Sequence, residues 1–135
     1  MDSSLPEQFS SVPINHWLGL RMVAHTASET TAVLPCRPQF AQETGVVHGA
    51  IVTLLADTAA VYLVMPDLPK DWRMASVEFK VNFLAPAFVD AGQLTAVAKL
   101  IKRGRRVAVC QSEVWQQQVQ VAIGLFTYAM WPKSG

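Results

Sequence analysis

One stretch constrains the fold more than any other. Residues 45–65 read GVVHGAIVTLLADTAAVYLVM, the longest apolar segment of the chain, with a single carboxylate, Asp57, near its middle. Strand alternation fails there, because Ile51, Val52, Leu54, Leu55 and Ala56 leave no polar face at period two. The run is long for a strand and long enough for a helix. Ala50, Leu54, Leu55, Ala56, Ala59 and Ala60 favour helix, and Pro66 ends it. The reading is a helix entered through His48 and Gly49, apolar nearly all round and therefore enclosed by the rest of the fold. A membrane span competes, but the run is short for one. An Asp near its centre would cost roughly 2.5–3.5 kcal/mol on insertion scales.

Asp57 is the anomaly in this helix. A buried ionised carboxylate without partners is expensive, so such groups are paired, neutralised or functional. One reading is structural, with Asp57 bonded to a nearby hydroxyl or backbone group. The other is chemical, and the helix start supports it. Gly45 and Gly49 allow a tight turn and close approach of a ligand. The unpaired N–H groups near Gly49 and Ala50 carry the positive end of the helix dipole, where a carbonyl can be polarised and an oxyanion held. A carboxylate and such a helix end together suit acyl transfer. They are not close, however: the nine positions from His48 to Asp57 span roughly 13 Å along the axis. If both act in one site, the helix end comes from one subunit and Asp57 from another. A two-fold dimer with paired antiparallel helices supplies that geometry twice.

The pattern Gln42-x2-Gly45-x2-His48-Gly49-Ala50-x6-Asp57 resembles the signature of the hotdog-fold acyl-CoA thioesterases, in the branch with 4-hydroxybenzoyl-CoA and phenylacetyl-CoA type enzymes. The resemblance continues through residues 76–87 (SVEFKVNFLAPA) and the 102–106 turn, and covers roughly residues 15–131. It implies Asp57 as nucleophile or general base, the Gly49 N–H as the group that polarises the thioester carbonyl, and Gln42 as an aid in placing carbonyl or water. It implies His48 at the helix entrance, ordering the loop rather than acting as base, and Ser76 at a position that holds water in some members. Two positions depart from the family pattern. Ala50 replaces a second Gly, and Val61 stands where some members carry a hydroxyl one turn beyond the acid.

The rest of the chain fits one domain over residues 1–135, large enough for a core. Residues 2–18 read as a short helix and an approach loop, with Pro6 in a first turn and Pro13 as an interruption. Phe9, Ile14, Trp17 and Leu18 could cover the sheet edge or the acyl pocket, and core packing is the reading preferred for them. Residues 20–26 and 30–35 read as a hairpin, and 36–47 as a polar loop delivering Gln42 and His48. In 76–83, Val77, Phe79, Val81 and Phe83 alternate with Ser76, Glu78, Lys80 and Asn82, the pattern of a half-buried antiparallel strand. Strands at 93–102, 106–116 and 119–131 follow. In the second of these, Ala108, Cys110 and Ser112 share one face, small enough for a sheet to wrap closely around a helix. The order β-β-α-β-β-β-β gives an α+β fold with an antiparallel sheet curled around one long central helix; the resemblance makes it a hotdog fold.

The basic run 99–106 reads as a solvated hairpin tip or as a clamp for phosphates. The resemblance favours Arg103, Arg105 or Arg106 as contacts for the nucleotide end of coenzyme A. A net charge of +1 gives no support for nucleic-acid binding. His16, His25 and His48 lack zinc-ligand spacing, and Cys36 and Cys110 form no metal or redox motif. No G-x-S-x-G elbow and no Gly-rich phosphate loop occurs. The start of the chain is polar and acidic, without the basic and apolar regions of a signal peptide, so a cytoplasmic protein is expected. The expectation is an acyl-CoA thioesterase without metal or separate cofactor, off the membrane, acting as a homodimer or a dimer-of-dimers tetramer. A hotdog hydratase or dehydratase with His48 as base, and a non-catalytic acyl-CoA-binding module, are the alternatives.

Overall fold

The computed structural model describes residues 4–134 of the chain. Two short helices, α1 (Leu5–Ser11) and α2 (Pro13–Leu18), precede the hairpin of β1 (Arg21–His25) and β2 (Glu29–Leu34). The long helix α3 (Gly49–Val64) follows, and then β3 (Trp72–Phe83), β4 (Leu94–Arg103), β5 (Val107–Gln116) and β6 (Val119–Pro132). All six strands join one antiparallel sheet in the order β1-β2-β4-β5-β6-β3. The sheet curls around α3, which is the α+β hotdog arrangement expected from the sequence. Residues 1–3 and 135 of the expected 1–135 domain, including the start of the expected 2–18 segment, lie outside the described residues.

The close wrap has a compositional cause. Ala96 and Ala98 on β4, and Ala108, Cys110 and Ser112 on β5, are wholly buried against Leu55, Ala59 and Ala60 of α3. Small side chains on both surfaces let the helix sit low, and the Cys110 thiol comes within 3.8 Å of the Ala60 carbonyl oxygen. On β6, a Cβ at Gly124 would meet the Lys80 carbonyl oxygen of β3 at 2.7 Å, so the strands can cross this closely only with glycine there. The helix stops at Val64. Pro66 lies in the 3-10 turn Met65–Asp67, and the Arg103 guanidinium donates to the Val64 carbonyl at 3.2 Å. Gly49–Asp67 is apolar enough to cross a membrane by length and composition. Here it is the element the sheet closes on.

Three sequence expectations need correction. The N-terminal segment holds two helices, not one helix and a loop, because Pro13 begins α2 at a position where its missing N–H is harmless. Asn15 and Leu18 point inward from α2, so Ile14 and Trp17 on its other side are exposed, and only Phe9 and Leu18 join the core. Second, β3 is not half-buried. Val77, Phe79 and Phe83 are all more than half exposed. A bulge between Ser76 and Glu78 makes Val77 the extra residue, and β3 is an edge strand beyond the main footprint of α3. Third, α3 is not fully enclosed. It packs on β2, β4 and β5, which leaves Gly49, Ala50, Thr53, Leu54, Asp57 and Val61 along one unburied stripe.

Candidate functional site

The loop before α3 is tied to the connection between β3 and β4. The Val47 N–H donates to the Ala87 carbonyl at 2.8 Å, the Val89 N–H to the Gly45 carbonyl at 3.0 Å, and Val46 bridges Phe88. Thr44 and Gly45 both take positive φ (59° and 79°), which reverses the chain between Gln42 and His48. Gln116, a buried polar side chain, fixes the other side of this seam. Its Nε2 donates to the Phe88 carbonyl at 2.7 Å and the Gly92 carbonyl at 2.9 Å, and its Oε1 accepts the Phe88 N–H at 2.9 Å.

His48 is the N-cap of α3. Its Nδ1 accepts the Ala50 N–H at 3.0 Å, so that nitrogen carries the lone pair and is occupied by its own helix. Its backbone N–H donates to the Phe40 carbonyl at 2.8 Å. The next N–H, of Gly49, begins the helix and donates to nothing among the described residues. It opens on a cavity of about 510 Å³ lined by Gln42, Gly49, Val52, Phe83, Pro86 and Val121. The exposed Gln42 side chain makes no hydrogen bond among the described residues. The Phe83 ring lies over Gly49, where a Cβ would stand 3.0 Å from its Cζ.

Asp57 lies two turns further along the same stripe, half-buried. Its Oδ1 accepts the Tyr128 hydroxyl at 2.7 Å; that hydroxyl is also 3.3 Å from the Asp57 backbone oxygen. Burial, and then the Asp57 charge and hydrogen bond, hold the Tyr128 phenol proton on well above its ordinary value. Asp57 borders a second space of about 430 Å³, with Ala50, Thr53, Leu54 and Phe79. Asp57 is eight positions from Gly49, or about 12 Å along the axis, so the two features face different cavities of one protomer. Ser76 is exposed and pairs across the sheet with Tyr128.

The basic turn lies at the opposite end of α3 from Gly49. Arg103 is committed to the helix carbonyl, the Arg106 guanidinium sits 5.4 Å from the centre of the Trp72 ring, and Arg105 is exposed. Asp67, Trp72, Arg103 and Arg105 border a cavity of about 250 Å³ there. Within one protomer, then, Gln42, His48 and Gly49 come together, Asp57 stands apart, and the three arginines are farther still. Among the described residues, no group of three His, Cys, Asp or Glu side chains is placed to hold a metal ion.

Sequence reasoning missed Tyr128, the partner of Asp57. It did contain a signal. On β6, Phe126, Tyr128 and Met130 alternate on one face, so Tyr128 puts a hydroxyl into an otherwise apolar row. A buried tyrosine hydroxyl needs a partner, although the sequence does not say which.

A family model described as thioesterase superfamily matches residues 44–123. A thioesterase of Haemophilus influenzae is 23% identical over 97% of this chain and 90% of its own, with a TM-score of 0.84. A mutant thioesterase of Pseudomonas aeruginosa is 23% identical over 97% of this chain and 96% of its own, with a TM-score of 0.87. The PaaI protein from the phenylacetic acid degradation operon of E. coli is 23% identical over 91% of this chain and 87% of its own, with a TM-score of 0.80. At these identities the structural likeness carries the fold. No curated protein matches the sequence.

Proposed function

The chain belongs to the thioesterase superfamily and is a thioester hydrolase, and on that premise we propose that it hydrolyses acyl-CoA at a site shared by two copies of the chain. The observation that carries this reading is the uncovered stripe of α3, on which the unpaired Gly49 N–H and the Asp57 carboxylate both lie. A second α3 packed antiparallel on that stripe brings the partner subunit's Asp57 to the Gly49 end. The thioester oxygen then meets the Gly49 N–H and the positive end of the helix, where one such donor is worth about 2.7–4 kcal/mol to an oxyanion. Asp57 attacks the carbonyl carbon directly or takes a proton from the attacking water. In either course the tetrahedral oxyanion collapses, the C–S bond breaks, and coenzyme A leaves as the thiolate. After direct attack the acyl group stays on Asp57 as a mixed anhydride, which water then hydrolyses to the free acid, whereas the water-first course releases the acid at once. Gln42 faces the same cavity and is assigned to placing carbonyl or water, and Ser76 to holding water near the β3 edge. Arg105, with Arg106 held on Trp72, is assigned to the phosphates of the nucleotide, and Arg103 to fixing the turn that presents them.

The hydratase alternative asks for His48 as a base, but its Nδ1 is occupied as the helix cap. The acyl group, aromatic or medium-chain, lies along the apolar edge formed by Leu54, Phe79 and Phe83. A thiol-release assay over benzoyl, phenylacetyl and straight-chain CoA thioesters tests the reading. Turnover in the wild type should fall at least about a hundredfold in a folded Asp57→Asn variant. Undiminished hydrolysis by that variant sinks the mechanism, and binding without turnover on every substrate favours an acyl-CoA-binding module.

A further inference from the structure

We infer that Tyr128 is a positioning residue for the reaction: its hydroxyl grips Oδ1 of Asp57 and leaves Oδ2 as the oxygen that acts on substrate or water. The inference rests on the role just proposed for Asp57 and adds to it which carboxylate oxygen reacts and what aims it.

The geometry is specific. Tyr128 is 1% exposed and sits within the sheet, opposite Ala108 on β5 and Ser76 on β3, so its backbone is held from both sides. Its ring passes under α3 and its hydroxyl ends at Asp57, 71 positions away in sequence. At 2.7 Å to Oδ1 the bond has the usual length of an O–H···O hydrogen bond, whereas the 3.3 Å approach to the Asp57 backbone oxygen is long for such a donor. This is the one hydrogen bond to the Asp57 carboxylate among the described residues. Of the other neighbours on this side, Ala50, Leu54 and Phe79 carry no side-chain donor, and the Thr53 hydroxyl donates to the Gly49 carbonyl at 2.8 Å.

A half-buried Asp on an open helix stripe has two side-chain torsions to settle. Anchoring one oxygen settles both, which leaves the second oxygen with a fixed direction. The phenol also keeps its proton, since burial and the adjacent carboxylate both oppose ionisation, so it stays a donor wherever the enzyme works. A rigid donor in the sheet thus sets the aim of a carboxylate on the helix.

The test compares wild type, Tyr128→Phe, Asp57→Asn and the double variant by steady-state kinetics and thermal melting. Tyr128→Phe removes one oxygen and keeps the ring. The expected result is a fall in kcat of about 10- to 100-fold with KM nearly unchanged. The double variant should be no slower than Asp57→Asn alone, because Tyr128 acts only through that carboxylate. Unchanged kcat in a folded Tyr128→Phe, a rise in KM alone, or losses that multiply in the double variant each overturn the inference while leaving Asp57 in its role. Full turnover in Asp57→Asn overturns both. Should Tyr128→Phe fail to fold, fluorotyrosine at 128 keeps ring and hydroxyl and alters only donor strength. It must then change kcat and not KM; no change overturns the inference.

Discussion

His48 and Gly49 are adjacent and do opposite things. The His48 Nδ1 accepts the Ala50 N–H, which leaves the Gly49 N–H unpaired beside the cavity. At Gly49 the lack of a side chain matters, because the Phe83 ring occupies the space a Cβ would need. This division of labour predicts how His48 responds to substitution. Loss of an N-cap costs about 1 kcal/mol, and Asn is as good a cap as any residue. His48→Ala should therefore lower the melting temperature and turnover together, whereas His48→Asn should restore both toward wild type. A His48→Asn protein that melts like the wild type yet has lost its turnover would assign His48 a proton-transfer role instead.

At the scale of elements, the decisive contact is the seam between α3 and β5. Cys110 lies in it, fully buried beneath Ala60, and burial pushes its thiol from 9.0 up to about 11, with Arg103 opposing. A folded state that holds a thiol protonated keeps that contribution whole below the ordinary value. It loses the contribution as pH climbs from 9 toward 11, because the unfolded chain releases the proton first. Tyr62 and Tyr128 are shifted the same way and add to the loss at higher pH. Denaturant unfolding at stepped pH should show stability falling across that window, with a smaller fall in Cys110→Ala. Equal slopes in the two proteins would remove Cys110 from the account.

This seam was legible in the sequence, as were α3 and strands β4, β5 and β6. The length and helix-forming residues of the apolar run, the Pro66 stop and the small-residue face at 108, 110 and 112 are all local signals. The β3 pattern misled for a different reason. Alternation tells which residues share a face, but the bulge at Val77 and the position of β3 at the sheet edge decide whether that face is covered. The candidate site divides along the same line. Gln42, His48, Gly49 and Asp57 fall at fixed spacing on one loop and helix and were readable. Tyr128 reaches Asp57 only through the sheet register, which no local pattern encodes.

For the whole molecule, the exposed apolar edge and the open helix stripe make one demand. A twelve-residue edge strand bearing half-exposed Val77, Phe79 and Phe83 is a template for pairing with another strand. It lies beside the stripe that carries Gly49 and Asp57. If two copies meet there about a two-fold axis, each site takes its oxyanion donor from one copy and its carboxylate from the other. Gly49→Val, which drives a branched side chain into the Phe83 ring, should be inactive alone, as should Asp57→Asn. Unfolded together and refolded as a mixture, they form mixed dimers in which one site carries both defects and the other carries neither. Random pairing makes half the dimers mixed, so activity should return to about a quarter of the wild-type level. Sedimentation should show dimers or a multiple of them throughout. Sites contained within single chains would each keep a defect, and mixing would then restore nothing.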